Sequence, residues 1–139
     1  MENKQVVSLS ASQLTDFLNS IAPATGKQLL SWPQVWRGLP FSILEDTAVV
    51  NEPEIHVKEG DLWLCLEGEV KFVYGGELEG RYEKKHPDGS NNPDELGGTS
   101  IVGSTEHVLH PGDWLWIPAG VPHQHRAEGV ARMVIIKMR

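Results

Sequence analysis

From residue 41 onward, apolar and polar positions come in short bursts: FSILEDTAVV, EIHV, DLWLCLEG, EVKFVYGG, TSIVG, EHVLH, DWLWIPAG and ARMVIIKM. Each is rich in β-branched or aromatic residues and is cut off by Gly, Pro, Asn or Asp, the punctuation of strands. Such a succession predicts an all-β sandwich or small barrel. Upstream the period changes. Ser10 to Ile21 puts Leu14, Phe17, Leu18 and Ile21 on one helical face, and Ser10 and Gln13 have capping-box spacing, so a short N-terminal helix is expected. Pro23 and Gly26 close it. SWPQVWRGLP then reads as an irregular segment packed over a core. The interval 76–98 carries neither period and reads as a long excursion between two strands. The expected division is an N-terminal helical and irregular extension, 1–40, and a β-barrel domain, 41–139.

Composition narrows the partners. A chain of 139 residues, 40% of them hydrophobic, builds one core and not two. Nineteen acidic residues against twelve basic ones give a formal charge of −7, which repels phosphate backbones and anionic headgroups. The densest basic run is Lys84, Lys85 and His86, so no nucleic-acid surface and no membrane surface is expected. Cys65 is the sole cysteine, which rules out an intrachain disulfide and fits a reducing compartment. MENKQVVSLSASQ lacks the apolar core of a secretion signal, and no run approaches the length of a membrane span. A cytoplasmic location is the expectation. Phosphate-binding loops, nucleophile elbows, C-x-x-C pairs and dinucleotide fingerprints are absent from the sequence.

Two separated stretches carry the chemistry. Gly112, DWLWI, Pro118, Ala119, Gly120, Val121, Pro122 and His123 spell G-x5-P-x-G-x2-H, with Ala127 four positions further on. Glu54-x-His56-x4-Asp61-x6-Gly68 follows Ala48 at an interval of five residues. Residues 41–139 thereby resemble the cupin family, whose motifs read G-x5-H-x-H-x(3,4)-E-x6-G and G-x5-P-x-G-x2-H-x3-N. The second motif lacks only its final Asn. The first matches in spacing, with Ala48 for Gly, Glu54 for His and Asp61 for Glu, and so resembles small single-domain cupins with an E-x-H first motif. The resemblance implies an all-β double-stranded β-helix, a jelly-roll barrel, behind a short N-terminal helix.

Alternate residues of a strand share a face, so Glu54 and His56 point the same way, as do His123 and His125. If the motifs lie on neighbouring strands, as in cupins, then Glu54, His56, Asp61 and His123 converge inside the barrel. Two imidazoles with one or two carboxylates suit Fe, Mn, Zn or Ni as a divalent ion. Glu54 has the alternative of holding a ligand histidine through a hydrogen bond, and Asp61 that of capping the EGD turn. Either carboxylate, if free of metal, is a candidate catalytic base. Trp63 and Cys65 share strand parity with Asp61, which aims them at the substrate pocket. Cys65 reads as an inert buried thiol. His125 has pocket parity too, with an exposed strand end as the alternative. Trp114 and Trp116 share one face. Tyr74 and Tyr82 border the 76–98 interval and could close over a ligand, while His86 reads as solvated and His107 and His110 as surface residues or pocket-edge acid–base groups.

The resemblance implies a small-molecule-binding protein, a divalent-metal-dependent enzyme of dioxygenase, lyase or isomerase type. The alternative is a ligand-binding or sensing module without turnover. A homodimer is expected, because small cupins commonly pair and sheet edges gain from cover.

Overall fold

The computed structural model describes residues 5–139; residues 1–4 of the expected extension lie outside the described residues. Helix α1, Ala11–Asn19, starts at the expected cap: Ser10 Oγ accepts from the Gln13 N–H and Gln13 Oε1 accepts from the Ser10 N–H. Twelve strands follow among the described residues: β1 Gly26–Leu30, β2 Ser42–Val50, β3 Glu54–His56, β4 Gly60–Glu67, β5 Val70–Tyr74, β6 Glu77–Glu79, β7 Tyr82–Lys85, β8 Asn91–Gly97, β9 Ser100–Val102, β10 Thr105–Leu109, β11 Trp114–Ile117 and β12 His123–Met138. One 3-10 turn, Gln34–Trp36, interrupts the segment before β2.

β12 organises the barrel. Its C-terminal part lies between β2 and β4, giving the order β1-β2-β12-β4-β11; its N-terminal part lies between β3 and β5, giving β7-β8-β3-β12-β5-β10. All pairings are antiparallel. The two wings close on a core that takes Trp63 and Cys65 from β4, Val70 and Phe72 from β5, Leu109, Ile117, and Ala127, Ala131, Met133 and Ile135 from β12. This is the jelly-roll expected from the sequence.

The first wing is apolar on both faces. Leu44, Trp63, Met133 and Ile135 point into the barrel, whereas their strand neighbours Ile43, Leu64, Val134 and Ile136 point outward beneath Phe17, Leu18 and Trp32. Phe17 and Trp32 stack at 5.0 Å, and Trp36 meets both edge-on. A buried ion pair fixes this cover. Arg132 donates from Nε to Glu45 Oε1 at 2.9 Å and from its two other nitrogens to the carbonyls of Leu18 and Ile21, which places a cation at the C-terminal end of α1.

Two stretches differ from the sequence reading. GKQLL forms β1 along β2, although its one inward-facing side is too short to show a period. The 76–98 interval is not an irregular excursion: it forms β6 and a β7–β8 hairpin, turned at Asp88, Gly89 and Ser90. β7 is exposed over most of its length, so no apolar alternation marks it. β8 pairs with β3 and places Leu96 opposite Ile55 and Glu95 opposite His56.

Candidate metal centre

Glu54 and His56 lie on one face of β3, Asp61 at the start of β4 and His123 at the start of β12, directly opposite Glu54. His56, Asp61 and His123 are buried. Four atoms form a ring: Glu54 Oε1 to His56 Nε2 is 3.3 Å, His56 Nε2 to Asp61 Oδ2 is 3.4 Å, Asp61 Oδ2 to His123 Nε2 is 3.5 Å, and His123 Nε2 back to Glu54 Oε1 is 3.6 Å. Atoms each about 2.1 Å from one shared ion stand roughly 3–3.5 Å apart. The ligand atoms of Glu54, His56 and His123 all lie within 4.8 Å of one another.

Neighbours aim these atoms. The His56 Nδ1–H donates to the Glu95 carboxylate at 2.9 Å, and the His123 Nδ1–H donates to the Val121 carbonyl at 3.0 Å. Both rings are thereby oriented with Nε2 toward the ring of four, the arrangement by which a carboxylate or carbonyl behind an imidazole prepares it to bind metal. The outer carboxylate oxygens are held by lysines: Lys84 Nζ donates to Glu54 Oε2 at 2.5 Å and Lys137 Nζ to Asp61 Oδ1 at 2.8 Å. Asp61 Oδ2 and His123 Nε2 are buried and have no hydrogen-bond partner. Each such orphan costs on the order of 1–3 kcal/mol, which a cation between them would recover.

The charges reinforce one another. Burial opposes ionisation of Glu54, but the nearby His123 and His56 imidazoles and the Lys84 ammonium hold its carboxyl far below the usual range. Asp61 is lowered in the same way, burial being outweighed by His56 and Lys137. Burial alone would depress His56; its contacts with Asp61 and Glu54 instead push it up to about 10.

A cavity of about 420 Å³ opens beside the ring, lined by Leu29, Leu44, Trp63 and Ile135 with Glu54, His56, His125, Lys27 and Lys137. Trp63 is in the wall, as expected. Cys65 is not: it sits in the core, with its thiol directed at the carbonyls of Glu67 and Gly68, and burial pushes it up to about 11. Two residues beyond Trp63 on β4, it does not line the cavity. His125 is buried and not an exposed strand end; its Nδ1–H donates to the buried Asp46 at 2.5 Å, and Asn51 braces the same carboxylate. Trp114 and Trp116 are on the outer surface, as are His86, His107, His110 and Tyr82, and Tyr74 packs against the core. A larger groove, about 680 Å³, runs past Lys71, Arg126 and Val130 and contains none of the four ring residues.

Lys84, Glu95, Asp46 and Lys137 escaped the sequence reading. Lys84 and Glu95 arrive on the β7–β8 hairpin, whose pairing with β3 no local pattern announces. Asp46 and Lys137 sit on recognised strands, where an acid or a base inside an apolar burst was the available signal.

Residues 97–137 match the family model for the cupin domain. That match spans under half of the chain. Known structures resemble this chain in fold. A hydroquinone 1,2-dioxygenase in complex with Cd²⁺ and 4-hydroxybenzonitrile is 15% identical, with a TM-score of 0.50 and with 99% of this chain and 81% of that chain covered. A protein from Neisseria meningitidis is 13% identical at a TM-score of 0.49, covering 91% and 96% of the two chains. An oxalate oxidase is 18% identical at 0.46, with 82% of this chain covered; this chain spans about half, 51%, of that protein. No curated protein sequence matches the chain.

Proposed function

We propose that this chain is a cupin-type, divalent-metal-dependent enzyme acting on a small oxygen-bearing organic substrate in the cavity beside Trp63. The supporting observation is the pair of orphaned buried atoms, Asp61 Oδ2 and His123 Nε2, facing Glu54 and His56. His56, His123, Glu54 and Asp61 would hold the ion. When bound, it would supply Lewis-acid polarisation of a substrate oxygen, or oxygen activation if it is Fe(II). The chain's own groups do the rest. Glu54 is the one carboxylate in the cavity wall, so it is the residue placed to take a proton from a bound substrate. Asp61, almost wholly buried, serves as ligand only. His125, fixed by Asp46, offers Nε2 as a hydrogen-bonding group to the substrate, and Trp63 packs its ring against His125 at 5.1 Å, keeping water from that side. Metal analysis of protein purified without chelator tests the reading: near-stoichiometric metal in the native protein, lost in His123→Ala, is expected. No metal in either would end it.

One observation favours the second reading, a ligand-binding module without turnover: Lys84 and Lys137 already neutralise the two carboxylates. Tight ligand binding by metal-free protein is its signature. Among the described residues no helix is long and apolar enough to cross a membrane. A cytoplasmic homodimer accompanies either reading, supported by the free edge of β1 and the exposed Leu29 on it. Light scattering at micromolar concentration should give twice the chain mass; a monomer refutes the pairing.

A further inference from the structure

The cavity beside the ring is built for an anion on an apolar body. Its apolar walls are Leu29, Leu44, Trp63 and Ile135; its cations are Lys27 and Lys137; its one carboxylate, Glu54, is already answered by Lys84. Lys137 lies opposite Asp61 in the β12–β4 register, and its ammonium sits 2.8 Å from Asp61 Oδ1 and 3.3 Å from His56 Nε2. An ammonium has three N–H donors. Asp61 accepts one, and the other neighbouring polar atom, His56 Nε2, belongs to the ring that would hold the ion. That leaves Lys137, half-exposed on the cavity wall, with donor capacity for a ligand.

The charge count agrees. Glu54, Asp61 and Glu95 against Lys84, Lys137 and a protonated His56 leave the metal-free cluster neutral, and a divalent ion that displaces the His56 proton would leave it with one positive charge. Without the two lysines the loaded cluster would carry a net negative charge and repel an acid. Of these two cluster lysines, Lys137 is the one that lines the cavity.

We propose that Lys137 is the specificity residue of the site and anchors the carboxylate of a small monocarboxylic acid whose apolar body lies against Trp63, Leu44 and Ile135. The proposal rests on the metal-enzyme reading for the charge of the loaded site, though not for the position of Lys137. Benzoate and the neutral isostere benzamide are the probes, titrated by calorimetry into wild-type protein and into Lys137→Met and Lys137→Arg, with metal content and melting temperature measured on each sample.

Benzoate should bind the wild type at least about tenfold more tightly than benzamide. Lys137→Met should erase that ratio while keeping its fold, and Lys137→Arg should retain it in part. Equal binding of the two probes by the wild type, or a ratio that survives in Lys137→Met, overturns the proposal. So does failure of benzoate and of the longer acid hexanoate to bind the wild type up to about 10 mM. Wild-type protein without metal that still prefers benzoate sinks the metal-enzyme reading and leaves the carboxylate anchor standing. Should Lys137→Met not fold, the benzoate-to-benzamide ratio in wild type and Lys137→Arg decides.

Discussion

At the scale of single residues, the backbone at Ala48 adopts a conformation that suits glycine. It has φ of +47°, the left-handed region that favours glycine, and Glu128 and Gly129 together stand opposite it where the β2–β12 register slips by one. Ala48→Gly should therefore raise stability by about 1 kcal/mol in urea unfolding, less the entropy that glycine loses on folding. Glu95 holds His56 from behind, so Glu95→Gln should weaken metal binding about 10–100-fold without loss of fold. A competitive chelator titration reads the change. His56 gives a pH signature. Its folded-state value of about 10 lies above the unfolded value of 6.5, so in metal-free protein its contribution is complete below about pH 6.5 and fades as pH rises toward 10. The metal-free melting temperature should fall across that window, and the fall should be absent in His56→Gln. Metal uptake runs the other way, strengthening with pH over the same range, because His56 must give up its proton to bind.

At the scale of elements, the legible ones were those with a period. α1 was readable because Leu14, Phe17, Leu18 and Ile21 cover an apolar sheet face and Ser10 and Gln13 close its first turn. β3, β4, β5, β11 and β12 were readable as apolar or aromatic bursts between Gly, Pro, Asn and Asp. The β7–β8 hairpin was not. It is an edge pair, polar where water reaches it, and what it contributes is Lys84 and Glu95, two charges recognisable as site residues only after β8 has found β3. The ring itself was legible as spacing: Glu54, His56, Asp61 and His123 meet as their motifs implied, while parity alone carried Cys65 one layer too deep and left the buried Asp46 behind His125 unseen. The clasp between α1 and the sheet was hidden for the same reason as the hairpin, since Arg132 and Glu45 are far apart in sequence. Arg132→Met should cost about 3–5 kcal/mol by stranding Glu45, and the double change with Glu45→Leu should recover most of it. Denaturant midpoints of the two variants measure both effects.

At the scale of the whole molecule, β12 unites what the chain otherwise keeps apart. Its 16 residues carry His123 and His125 at one end, Arg132 in the middle and Lys137 near the other, and it is hydrogen-bonded to β2, β3, β4 and β5. Local loss of the site while the helix cover stays docked is therefore not expected; hydrogen exchange should report one cooperative opening for the amides of β2, β4 and β12. On the ribosome the same strand sets the schedule. β5 is complete about fifty residues before β12 begins, and at about 5–20 residues per second the nascent strands wait several seconds for the partner that lies between them. During that interval their backbone edges are open to one another and to neighbouring chains, so yield of native protein should depend on translation speed and on chaperone supply more than the finished fold's stability would suggest.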